Sequence, residues 1–290
     1  MIIPSVSVLM TAYNREKYIA GAIESVLASA FKDFELIIVD DCSTDRTVEI
    51  ARRYLSDPRV QVHVNEKNLG DYPNRNRAAS LARGKYLKYV DSDDIIYPYG
   101  LQAMVSAMEK FPDAAMGIER PPNGDRQYPL SIEPREAYVE HFLMRGLLDA
   151  GPTGVIIRES SFREAGGFSG KRYVGDTEMW LKLAARWPVV KFPQGLIWWR
   201  QHAQQEFKAG YISYDYDMML FQIKHAALVD SACPFGPAER EKALARLRRG
   251  HARWLLRLAF QKGRLADVRR IMRSTNFRFI DLFAAFTRPQ

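Results

Sequence analysis

The sequence predicts an α/β fold: a mostly parallel central sheet flanked by helices, with a helical C-terminal extension. Three observations carry that prediction. Short apolar runs (Val6–Met10, Glu35–Val39, Val60–Val64 and Tyr86–Val90) alternate with segments of helical period through the first third of the chain. The links between them are short, the sequence form of stacked βαβ units. From Tyr214 onward the pattern is helical, broken near Pro234–Pro237 and Gly263.

Each element has its own justification. Val6-Ser7-Val8-Leu9-Met10 is short and apolar, as a buried parallel strand is. Thr11-Ala12-Tyr13-Asn14 follows, and the segment Glu16–Ala30 places Ile19, Ala22, Ile23, Val26 and Leu27 on one helical face. After the strand at Glu35–Val39, Ser43-Thr44-Asp45 offers N-cap chemistry for a helix carrying Val48, Ile50, Ala51 and Tyr54. Val60–Val64 is the third strand; Asn68-Leu69-Gly70 then turns the chain into a helix through Ala78, Ala79 and Leu81. Tyr86–Val90 is the fourth strand. Beyond Gly100 the alternation loosens into a helix over 101–111, a Pro/Gly-rich stretch at Pro121–Gly124, a strand at Gly154–Arg158 and a helix over Asp176–Arg186. Val189–Phe192 and Leu196–Arg200 read as two further short strands.

With 290 residues, 47% of them hydrophobic and 26% charged, the chain can bury a large core. Its two cysteines, Cys42 and Cys233, are too few for a disulfide framework and suit a reducing compartment. Met1 leads almost directly into the first strand, and no apolar run approaches the roughly 18–20 residues of a membrane span, so a cytoplasmic location is expected. The net charge of +8 is unevenly placed: from Gly236 to the end there are 14 Lys and Arg against 4 Asp and Glu, and before it 28 against 30. A basic tail on a near-neutral body does not point to nucleic acid.

Chemistry is concentrated at two strand ends. Glu35–Val39 delivers Asp40-Asp41, and Lys85–Val90 delivers Asp91-Ser92-Asp93-Asp94. In an open α/β sheet ligands bind beyond the carboxyl ends of the strands. Acids crowded there repel unless a cation or hydrogen-bonding ligand lies between them, and hard oxygen donors suit Mg²⁺ or Mn²⁺ together with substrate phosphates. No G-x-G-x-x-G follows the first strand and no P-loop occurs, which excludes the usual dinucleotide and P-loop sites. Thr11, Ala12, Tyr13 and Asn14 offer hydroxyl, ring and amide groups suited to a nucleobase, or form a plain strand-ending turn. Asp41 is placed to accept from a base or ribose, whereas Asp45 reads as a helix-start residue.

These pieces together resemble family-2 glycosyltransferases of the GT-A fold, the nucleotide-diphospho-sugar transferases. The resemblance rests on Val6–Asn14, Phe34–Asp45, Asn68-Leu69-Gly70, Arg75-Asn76, Ala82–Tyr86 and the D-x-D at Asp91–Asp93, in that order. Later segments extend it: Gly166-Gly167-Phe168, Gly175-Asp176-Thr177-Glu178-Met179-Trp180-Leu181, where the family commonly has Glu in place of Gly175, and Arg200-Gln201-His202. The resemblance implies nucleotide contacts from Thr11, Ala12, Tyr13, Asn14, Asp41, Arg75, Asp91 and Ser92. It implies a divalent metal (Mn²⁺ or Mg²⁺) at Asp93, Asp91 and His202, and Asp176 as general base with Glu178 in reserve. Arg200 would face the diphosphate; Trp198 and Trp199 either line the acceptor cleft or pack in the core.

The implied activity is inverting transfer of a sugar from a nucleotide-diphospho-sugar, UDP-linked, to a saccharide or lipid-linked acceptor hydroxyl. The expected setting is polysaccharide, lipopolysaccharide or glycolipid assembly. Two rivals remain: a non-catalytic sugar-nucleotide-binding scaffold subunit, and a nucleotidyltransferase, whose Gly-rich basic loop after the first strand is missing here. Residues 1–210 form the expected catalytic domain, with a nucleotide-sugar half to about residue 100 and an acceptor half over 101–210. Residues 211–290 form a basic helical region, with one helix over Glu239–Gln261, a second amphipathic helix around Leu265–Met272 and an apolar end from Phe277 to Phe286. Those helices either pack on the catalytic domain with a solvated basic face or touch an anionic membrane, on the inner face of the plasma membrane.

Overall fold

The computed structural model describes residues 3–121, 125–202 and 206–286, so Pro122-Asn123-Gly124 of the Pro/Gly-rich stretch lie outside the described residues. The chain runs β1 (Val6–Ala12), α1 (Ile19–Leu27), β2 (Phe34–Asp40), α2 (Thr47–Arg52), β3 (Val60–Val64), α3 (Asp71–Leu81) and β4 (Tyr86–Tyr89). It continues through β5 (Ile95–Ile96), α4 (Gly100–Glu109), β6 (Met116–Glu119), β7 (Leu130–Ile132), α5 (Pro134–Tyr138), β8 (Val155–Arg158), α6 (Glu159–Glu164) and α7 (Gly175–Arg186). β9 (Val189–Phe192), β10 (Ile197–Trp198), α8 (Glu206–Ser213), α9 (Asp215–Val229), α10 (Pro237–Phe260) and α11 (Leu265–Ser274) complete it, followed by a 3₁₀ segment at Phe279–Phe286.

The main sheet has the order β3-β2-β1-β4-β8-β6-β9-β7. β1 pairs in parallel with β2 on one side and β4 on the other, and β2 pairs in parallel with β3. The chain therefore winds outward to β3 and crosses back over β1 to reach β4. That reversal makes the crevice between the carboxyl ends of β1 and β4 the ligand position of a doubly wound sheet. β8 breaks the parallel rule, pairing antiparallel with both β4 and β6.

Alternating side chains send each central strand into two cores. Leu9, Ile37, Val39, Leu87 and Tyr89 face α3, α5 and α7 around the fully buried Trp180. Val8, Met10, Leu36 and Ile38 face α1 and α4 with Ile23, Leu101 and Met104. A third core joins Phe221 of α9 to Leu255 and Leu258 of α10, Ile271 of α11 and Phe277. The C-terminal helices also enter the first core through Leu228, Cys233, Phe235 and Ala243. Residue 210, the expected domain boundary, falls inside α8.

The expected strands and helices of the first ninety-odd residues are all present, but the N-cap of α2 is Arg46, which makes no side-chain cap bond; Asp45 sits one residue earlier, where its carboxylate accepts from Thr47 N at 2.9 Å. Leu196–Arg200 is shorter than expected. Only Ile197–Trp198 is strand, paired antiparallel with Ile95–Ile96 in a separate two-stranded ribbon. β5, β6, β7 and the π-helical turn at Val139–Arg145 were not anticipated by periodicity. Cys42 and Cys233 are both free thiols. Among the described residues no helix is long and apolar enough to cross a membrane.

Candidate active site

A cavity of about 1160 Å³ opens over the carboxyl ends of β1, β2 and β4. Thr11, Ala12 and Tyr13, at and just beyond the end of β1, line it, with Tyr13 well exposed. Asn14 is not part of this wall. Held at φ 53°, it donates its N–H to Ser43 Oγ at 2.8 Å and accepts from Thr44 N at 2.9 Å through Oδ1, which ties the β1 loop to the β2 loop. Asn is one of the few side chains that tolerate that backbone.

The two acids after β2 divide their work. Asp40 turns away, accepting from Ser43 N and Ser43 Oγ; burial, working against those bonds, pushes its carboxyl up. Asp41 lines the cavity and is buried, accepting from Asn65 Nδ2 at 2.8 Å, Leu69 N at 2.8 Å and Gly70 N at 2.9 Å. Gly70 has φ +89°, which a side chain would strain, so the Asn-Leu-Gly turn bends around the Asp41 carboxylate and launches α3.

The first turn of α3 then links several parts of the site. Arg75 is buried and pairs with Asp71 (2.9 Å) and, across the cavity floor, with Asp91 (2.7 Å). Burial alone would weaken its charge, but the two carboxylates more than offset that. Tyr72 packs its ring where a side chain on residue 175 would lie: a Cβ there would come within 2.9 Å of three ring atoms. This explains Gly175 where the resemblance suggests Glu. The space is taken by Tyr72.

The acid cluster is completed from the far end of the chain. Pairing of β10 with β5 carries Trp198–His202 onto Asp91–Asp94. Arg200 donates its N–H to Asp94 Oδ1 at 3.1 Å and its Nε to the Asp93 carbonyl at 2.8 Å. His202 Nε2 lies 2.8 Å from Asp93 Oδ2, with its ring stacked on Tyr18, and Arg15 Nε reaches the same Asp93 oxygen at 3.2 Å. Arg200 and His202 form the layer behind the cavity wall; Ser92, Asp91, Asp93, Trp198 and Trp199 are on it. Both tryptophans are about half exposed, so neither is a core residue. Asp94 is buried against Thr153 Oγ1 at 2.7 Å, and burial, then the neighbouring Asp91 charge, push its carboxyl up. Beneath the cluster Lys88 is wholly buried, donating to the carbonyls of Thr153 and Val155, and burial pushes its amine down to about 7.

Asp93 and His202 converge as a hard oxygen and an imidazole nitrogen, with Asp91 two residues away. That donor set fits Mn²⁺ or Mg²⁺ once diphosphate oxygens fill the remaining positions. Three protein ligands do not gather at one point among the described residues.

Asp176, in the first turn of α7, lines the opposite side of the cavity. Burial pushes its carboxyl up to about 6, against bonds from Thr177 N and the charge of Arg75. Glu178 does not line the cavity. Burial acts to raise its carboxyl, but Lys171 (2.7 Å) and Ser169 hold it below its ordinary value. Of the two, only Asp176 is both accessible and suited to take a proton near neutrality.

Arg15, Asp71, Tyr72, Thr153, Tyr211 and Tyr216 also line the cavity and were not singled out in the sequence. Asp71 and Arg75 stand at i and i+4, a spacing that signals a helical ion pair. The others are isolated residues without a local pattern. Tyr211 of α8 and Tyr216 of α9 lie against each other with ring centroids 4.6 Å apart and planes tilted by 38°, so the C-terminal helices complete the wall.

Residues 7–166 match Glycosyl transferase family 2, more than half of the chain, and the chain belongs to that family. It is 42% identical over 109 residues to the uncharacterized glycosyltransferase MJ1057 of Methanocaldococcus jannaschii, covering 37% of this chain and 38% of that one. The chain spans between 36% and 39% of the length of the first curated relatives it matches. In fold it is similar to S. aureus TarS 1–349 solved with UDP-GlcNAc (TM-score 0.70, 19% identity, covering 97% of this chain and 87% of that one). It is also similar to the mannosyltransferase PcManGT of Pyrobaculum calidifontis solved with GDP-Man and Mn²⁺ (TM-score 0.64, 17% identity, covering 99% and 87%). These likenesses establish a GT-A fold.

Proposed function

We propose that the protein is an inverting glycosyltransferase that moves a sugar from a nucleotide-diphospho-sugar, UDP-linked, to a saccharide hydroxyl in polysaccharide or glycolipid assembly. One observation carries the reading. A single cavity holds the β1 and β2 loops, the Asp91–Asp93 acids and, across from them, a carboxylate raised to about 6. The family and the nucleotide-sugar complexes of the two fold neighbours support it.

Tyr13 and Asp41 would take the base, and Asp91 with Ser92 the ribose. Asp93, Asp91 and His202 would hold Mn²⁺ or Mg²⁺, which when bound neutralises the charge that develops on the diphosphate leaving group. Arg15 and Arg75, already aimed at these acids, add fixed positive charge at the same place. Asp176 takes the proton from the attacking acceptor hydroxyl, so displacement at the anomeric carbon is direct and inverts it. Trp198, Trp199, Tyr211 and Tyr216 offer flat apolar faces for the acceptor ring.

The test is calorimetric titration with UDP and GDP, each with and without Mn²⁺. Metal-dependent binding of UDP is the expected result. Preference for GDP would correct the donor base, and binding of neither would overturn the reading.

A further inference from the structure

We propose that the 3₁₀ segment Phe279–Phe286, with the arginines beside it, is a docking surface for an anionic phospholipid bilayer. The 3₁₀ segment Phe279–Phe286 divides its residues sharply. Leu282 packs into the C-terminal core beside Phe277, while Phe279, Ile280, Phe283 and Phe286 are 76%, 63%, 64% and 76% exposed. Three residues per turn puts 280, 283 and 286 on one face, with 279 beside it. Four large apolar side chains raised on one short segment cost solvation free energy unless something covers them.

Charge identifies the cover. Next to Phe279 a shallow groove of about 360 Å³ is lined by Arg269, Arg273 and Arg278 together with Met272, Asn276 and Phe277; Arg278 also pairs with Asp281 at 3.6 Å. The final segment from Gly236 carries 14 basic against 4 acidic residues. An apolar ridge flanked by guanidinium groups matches the layering of an anionic leaflet, with acyl chains below and phosphates above. A second copy of this chain fits worse, because pairing the same face would bring the two sets of arginines together.

The segment is not loosely attached. Helix α9 carries Tyr216 in the cavity wall and, five residues on, Phe221 in the core that holds Phe277. That is about 7.5 Å of helical rise. One helix therefore carries both the aromatic end of the cavity and the core on which the segment Phe279–Phe286 rests, which would set a lipid-linked saccharide near the site under the proposed function.

Sedimentation of the full chain with vesicles tests this. Vesicles of phosphatidylcholine containing about one-third phosphatidylglycerol should bind it, phosphatidylcholine alone should bind it at least tenfold more weakly, and salt should weaken the anionic binding. Phe279→Ser with Phe283→Ser should lower binding by about tenfold or more, and Arg269→Glu with Arg273→Glu by about 25-fold or more. Nucleotide binding should be unchanged in both variants, which shows that they fold. Equal binding to neutral and anionic vesicles, or no binding to either, would overturn the proposal. So would a dimer of the unaltered chain in sedimentation equilibrium that the phenylalanine variant dissolves.

Discussion

The amino and carboxyl ends of the central strands both carry acid–arginine pairs, with opposite consequences. At the amino end, Glu35 of β2 is buried with both oxygens filled. Oε1 accepts from Ser7 Oγ (2.7 Å) and Arg83 N (2.9 Å), and Oε2 accepts from Arg83 Nε (3.0 Å) and Gln61 Nε2 (3.1 Å). Ser7, Glu35, Gln61 and Arg83 do not line the cavity over the strands' carboxyl ends. At the carboxyl end, Asp91 and Asp93 also meet arginines, yet both acids line open space and Asp93 is shared between Arg15 and His202. Pairing alone does not mark a site. A closed network fixes strands, whereas an accessible one with exchangeable partners can accept a ligand.

Substitutions at the two ends should therefore separate. Asp176→Asn should reduce transfer by about 10³-fold, within the range general bases supply, while UDP still binds in a titration. A scaffold subunit without turnover would show no such loss. The same change should raise Tm by about 2 °C, because a carboxyl raised to about 6 binds its proton more tightly folded than unfolded, so its charge costs stability above that pH. Glu35→Gln should do the reverse, lowering stability in urea by about 2 kcal/mol through its lost hydrogen bonds, since the half-exposed Arg83 head stays solvated, while transfer per folded molecule stays unchanged. A loss of activity there without a loss of stability would break the division. The smallest effect is in pH: kcat/KM should rise with unit slope, about tenfold per pH unit, up to about pH 6 and then level. A flat profile between pH 5 and 7 would remove Asp176 from the base role.

The first four strands and the helices between them were legible because apolar runs and helical period are local signals. The acids at Asp91–Asp94 stood out as a cluster at a strand's end, and Asp176 only through family resemblance; both line the cavity. What escaped was assembled by tertiary contact. β5 and β10 are two residues each, too short to show a period, and Gly117 interrupts β6. Tyr72, Tyr211 and Tyr216 reach the cavity from three different helices, and no spacing links them to Asp176. Asn14 misled because its side chain has base-binding chemistry, while its backbone angle and the neighbouring β2 loop gave it another task.

The ribbon of Ile95–Ile96 and Ile197–Trp198 also sets a timetable. Asp93 leaves the ribosome long before its partner His202 has been translated, and at roughly 5–20 residues per second the interval is on the order of 5–20 s. During it the acid cluster faces solvent without the arm that later folds against it. A nascent chain released early would carry most of the parallel sheet and the acids, but not His202, Arg200 or either tryptophan. The finished site is thus withheld until the second half of the chain exists.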